Sequence, residues 1–188
     1  MESKNKNQNK MEEQTEKTNN LKTDRNIWKF ILYSILTIGI YPIVVFSQIS
    51  NELNNNLNDN KKIMEFWKIF LIALSISIIL IIIGQTNGFI GMIPTLLILG
   101  WHEMVYRKIK KELLIEIPTL FNIWILALPF ILAPLVVIIS LFAPSLILIY
   151  FLYIISIVSP FIYFAGLLEA MNRLNSNINQ QKINDNQK

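Results

Sequence analysis

The sequence predicts an all-α integral membrane protein of four or five transmembrane helices. Three observations carry that prediction. From Ile117 to Leu168 the chain holds no charged residue, about twice the ~20 apolar residues that one helix needs to cross a bilayer core. A second apolar run, Phe66–Ile83, opens with Trp67 and Lys68 and is otherwise uncharged. Composition agrees: 53% of residues are hydrophobic, 16% are charged and the mean hydropathy is +0.43.

Met1–Asn26 comes first and is rich in Asn, Gln, Lys, Glu and Thr. It cannot bury enough apolar surface to offset its ordering entropy, so residues 1–26 read as a disordered polar tail. The membrane domain spans residues 27–168, with apolar segments at about 27–46, 66–83, 89–106, 120–142 and 146–168. Residues 169–188 form a polar C-terminal helix and tail, the last apolar helix continuing as Glu169–Ile178 with Met171, Leu174 and Ile178 on one face.

The first segment is broken by Thr37-Ile38-Gly39-Ile40-Tyr41-Pro42. Pro42 lacks a backbone donor and Gly39 weakens a helix. The segment is therefore either a kinked crossing or a re-entrant hairpin turning at Gly39–Pro42. Beyond it, Ile49, Leu53 and Leu57 make a narrow apolar stripe that suits a helix on the membrane surface. Similar interfacial helices are expected after Trp101 and after Leu168.

Charge sets the topology. The turns at Gly84–Gly88 and Ala143–Ser145 carry none and face outward, whereas Arg107–Lys111 and Arg173, Lys182 and Lys188 lie inside. This makes a multi-pass protein of the cell membrane with a cytoplasmic C-terminus. A hairpin in the first segment would put every Lys and Arg inside. An internal echo argues instead for a crossing: twelve residues separate Pro42 from Asn54, and twelve separate Pro160 from Asn172.

The stretch Trp28–Asn54 resembles the uncharacterised family of small prokaryotic membrane proteins called "domain of unknown function 4234". The likeness rests on the run Thr37-Ile38-Gly39-Ile40-Tyr41 and on a following polar helix with Asn51 and Asn54. Where that family has a tryptophan-centred aromatic group, this chain has Val44-Val45-Phe46. The resemblance covers about a seventh of the chain and implies an integral membrane protein with no established activity. Thr37, Gly39, Tyr41 and Pro42 are the candidate structural motif.

No enzyme chemistry is expected. The single histidine, His102, precedes Glu103, but the place of a second zinc-binding histidine is taken by Tyr106. Glu103 and Arg107 read as a helical ion pair, and Trp101 and Tyr106 as interface anchors. With no cysteine, no phosphate-binding loop and no catalytic triad, no cofactor or metal is expected. Polar residues at depth are sparse: Asn122, Ser75, Ser77, Thr95, Ser140 and Ser156. They read as packing devices, with Asn122 the candidate for lining a path. The net charge of +4 lies beside membrane segments and shows no basic cluster interleaved with aromatics, so nucleic acid is not an expected partner. The expected partners are the lipid bilayer, other membrane proteins or a second copy of the chain. The leading reading is a scaffold, accessory or regulatory subunit; the alternative is a small oligomeric transporter or pore.

Overall fold

The computed structural model describes residues 21–56, 62–85, 88–113, 118, 121–142 and 146–186. Most of the expected disordered tail and the turn at 143–145 lie outside these residues. All regular elements among them are helical: α1 (Ile27–Leu36), α2 (Ile40–Asn56), α3 (Phe66–Ile82), the single turn α4 (Gly88–Gly91), α5 (Ile93–Leu113), α6 (Ile123–Phe142) and α7 (Leu146–Asn186).

α1 and α2 form a helical hairpin. The turn between them is a Schellman motif: the Gly39 N–H donates to Ser34 O at 2.8 Å and the Ile38 N–H to Ile35 O at 3.2 Å. The left-handed residue is Ile38, with φ 51°, and Gly39 follows at φ 84°. A side chain at such a φ costs ~1–2 kcal/mol, and Ile38 is branched at Cβ and 94% exposed. Thr37 serves both helices. Its Oγ1 donates back to Tyr33 O at 2.7 Å and accepts the Tyr41 N–H at 2.9 Å. Pro42 falls in the first turn of α2, where its missing N–H leaves no bond unmade. The break is therefore Thr37–Gly39 rather than Gly39–Pro42.

The two feet of the hairpin meet. Arg25, just before α1, pairs with Glu52, near the end of α2, at 2.5 Å. At 1.5 Å rise per residue, the ten residues of α1 reach only ~15 Å.

α3 rises from this end of the molecule and stops in a second Schellman motif, with Gly84 at φ 68° in the left-handed place that Ile38 takes in the first. α5 returns and runs unbroken through Trp101 to Leu113. α6 and α7 pack along each other, and α7, at 41 residues, is ~60 Å long. The interfacial helices expected after the apolar segments are thus continuations of them. Their stripes turn inward: Ile49, Leu53, Met171 and Leu174 are buried together in one core.

That core sits at the polar end. It gathers Phe46, Phe66, Trp101, Val105, Ile109, Phe121, Tyr163 and Leu167 around the feet of the hairpin. The apolar lengths of the helices leave it and stand exposed. Two helices, over Ile123–Leu141 and within α7, are long and apolar enough to cross a membrane, and only 6% and 11% of those windows is buried. A core helix of a soluble protein would bury most of its apolar face.

Candidate functional site

Polar side chains converge at the packed end, and asparagine organises them. Asn172, Asn175 and Asn179 share one face of α7, at spacings of three and four. Against that face lies the extended segment 21–25. Asn172 Nδ2 donates to Arg25 O at 2.8 Å while its Oδ1 accepts the Arg25 N–H at 3.0 Å. Asn179 does the same to Leu21, both bonds at 3.0 Å. Between them Asn175 Nδ2 reaches Lys22 O and Glu52 Oε2, each at 2.8 Å. Each amide offers a donor and an acceptor side by side, so it matches backbone as a neighbouring strand would. This clasp ties chain ends about 150 residues apart and carries Arg25 to Glu52.

Asn54 repeats the device. Its Oδ1 accepts the Ile63 N–H at 2.7 Å and its Nδ2 donates to Ile63 O at 2.6 Å. Asn54 and Asn172, each twelve residues after a proline, therefore both grip the extended residue that leads into an apolar helix. The echo in the sequence is a real local device. It marks how helix starts are held, and a hairpin satisfies it as well as a crossing.

Three helices begin alike. Trp28, Trp67 and Trp124 each occupy the second position of α1, α3 and α6, and all three are exposed. Asn26 Oδ1 accepts the Trp28 N–H at 2.8 Å, and Asn122 Oδ1 accepts the Trp124 N–H at 3.1 Å. Glu65 instead accepts from the Trp67 indole. That bond, with Lys68 at 3.2 Å, holds the Glu65 carboxyl below the usual carboxylate range. Asn122 is thus a helix cap. The signal was present in the sequence as two copies of Asn-Ile-Trp, at 26–28 and 122–124, with Glu-Phe-Trp at 65–67.

Trp101 is no interface anchor: it is fully buried, and its indole donates to Met64 O at 2.9 Å. Its ring stands edge-on to Phe66 at 4.6 Å. His102 lies beside it, enclosed by Phe46, Phe66, Tyr163 and Phe164. The Tyr163 hydroxyl lies 3.3 Å from His102 Nδ1. Glu103 pairs with Arg107 at 2.6 Å, as the spacing predicts. Among the described residues no three His, Cys, Asp or Glu side chains are grouped as a metal would require. Serines in the apolar helices bond their own backbone, Ser77 to Ala73 O and Ser140 to Val137 O.

Hollows adjoin this end among the described residues. A groove of about 600 Å³ between α5 and α6 is lined by Glu103, Tyr106, Lys110, Asn122 and Trp124 above an apolar floor. A deeper one of about 290 Å³, among α5, α6 and α7, is apolar except for His102, Thr95 and Ser156. A third, of about 240 Å³, lies where α1, α2 and α7 meet. The candidate motif residues are divided: Tyr41 lines this third crevice, while Thr37 and Gly39 build the hairpin tip.

No family model matches the chain, and no curated protein or solved structure is similar to it. The family resemblance accordingly rests on the run Thr37–Tyr41 and the following helix with Asn51 and Asn54.

Proposed function

We propose that the chain is a multi-pass membrane protein, with four crossings (α3, α5, α6 and α7) and a re-entrant hairpin (α1 and α2), acting as a scaffold, accessory or regulatory subunit. The observation that carries this reading is the exposure of the apolar helices beyond the packed end. Such surfaces are stable against lipid or against another membrane protein. The hairpin supports the topology, because it brings the segments bearing Arg25, Lys29, Lys62, Arg107–Lys111 and Arg173 to one side, the cytoplasmic one by the positive-inside bias.

A path for ions or polar solutes finds less support within one chain. The deep hollow is almost wholly apolar, and the rings around His102 close the packed end. The transporter reading keeps one observation, that Asn122 lines the groove of about 600 Å³ between α5 and α6. Two measurements separate the readings. Tagged protein drawn from its native membrane in mild detergent should carry another membrane protein at fixed stoichiometry. In liposomes it should give no flux, and Asn122→Leu should leave that result unchanged. A flux that Asn122→Leu abolishes would move the function to the alternative.

A further inference from the structure

The third crevice is lined by Lys22, Arg25 and Lys29 against a single acid, Asp24. The Arg25 side chain is only 4% exposed and is already committed to Glu52. That leaves Lys22 and Lys29, neither of which pairs with an acid among the described residues, and an excess of one positive charge over Asp24. The Tyr33 and Tyr41 rings, 5.2 Å apart, form the adjoining wall, and Phe30, Val45 and Leu168 the apolar one. Both tyrosines line the crevice, so two phenol side chains stand beside the charge.

Position identifies the occupant. Of the residues lining the crevice, Asn26 and Lys29 lie on either side of exposed Trp28 in the chain, one of the three tryptophans at helix starts, where aromatic side chains mark the headgroup level. Away from it along α1 stand exposed Leu32, Ile35 and Leu36, an apolar wall for acyl chains. At about 240 Å³ the crevice is below the ~300–1,000 Å³ of pockets that enclose a whole drug-sized molecule, and suits a headgroup whose chains remain in the bilayer. Basic pockets between helices on the cytoplasmic side bind anionic headgroups in this way.

We infer that this crevice binds the phosphate of an anionic lipid headgroup, with Lys22 and Lys29 supplying the charge and Tyr33 and Tyr41 the hydroxyl donors. The clasp is part of the site, because Asn175 holds the backbone of Lys22 in place. The inference rests on the membrane reading and adds a ligand class to it.

The test uses the full-length chain in mild detergent, with native mass spectrometry after titration with phosphatidylglycerol or phosphatidylcholine. Phosphatidylglycerol should bind in preference, and Lys22→Gln with Lys29→Gln should weaken it about 25-fold, at roughly fivefold per lysine. Lys110→Gln with Lys111→Gln, equal in charge but remote, should leave it within about twofold. Equal binding of the two lipids, or equal weakening by the two double variants, would overturn the site. Displacement by soluble glycerol phosphate at millimolar concentration would keep the phosphate site but assign it to a free ester. A chain that stays monodisperse with no detergent would instead refute the membrane reading, so the two failures are distinct.

Discussion

Trp101, Ile109, Leu167 and Met171 at one end of the molecule are fully enclosed, whereas Ile82, Leu141 and Ile147 at the other stand in the open. The residue types hardly differ. What differs is the company: at the packed end apolar groups alternate with Asn, Glu and Lys and find each other, and at the far end they run along stretches with no charged residue. Hydrophobicity says that a side chain leaves water, and only the neighbouring polar pattern says whether it leaves for a protein core or for lipid.

The largest effect should come from the enclosed end. Trp101→Ala should cost ~3–5 kcal/mol, whereas Leu141→Ala, at the far end, should stay within ~0.5 kcal/mol. Reversible unfolding in mixed micelles would check both, and similar losses at the two sites would break the comparison. The clasp comes next. Asn172→Leu leaves the Arg25 N–H and C=O without partners and should cost ~1–3 kcal/mol. The same change should raise amide exchange at Leu21–Arg25, while exchange at Ile69–Leu80 in α3 stays as it was. The hairpin tip should show the reverse sign. Ile38→Gly relieves the left-handed strain and should stabilise by ~1 kcal/mol, whereas Gly84→Ala introduces it and should destabilise by a similar amount. Smallest is the cap: Asn122→Ala should cost ~1 kcal/mol in unfolding.

Much of the fold was legible because apolar runs report helices directly. The run at 66–83 became Phe66–Ile82, and that at 120–142 became Ile123–Phe142. The start of α7 at Leu146 and its continuation past Leu168 were legible too, but the far ends of α2 and α5 were not, because a polar stretch continuing a helix looks the same as one that leaves it. The stripe of Ile49 and Leu53 showed that this face would be covered, but not that Met171 and Leu174 would help to cover it. The clasp was hidden for a related reason. An Asn-rich tail reads as solvated, and amides that grip backbone leave no trace in the sequence of the segment they hold. Only the spacing of Asn172, Asn175 and Asn179 and the echo with Asn54 pointed to it. Trp101 misled because tryptophan suits both an interface and a core, and its neighbours Phe66 and Met64 lie far back in the chain. Asn122 drew attention as a polar residue within an apolar run, but its place one residue before a helix start makes it a cap.

In the proposed topology α1 and α2 enter and leave the membrane on one side, and the packed end is a single cytoplasmic face. The chain has no cysteine, which makes single-cysteine labelling clean. Thr23→Cys and Asn55→Cys flank the hairpin outside its feet. In sealed vesicles of known orientation, an impermeant maleimide should reach both from the cytoplasmic side and neither from the other. Labelling of the two positions from opposite sides would contradict the account, because the first segment would then cross.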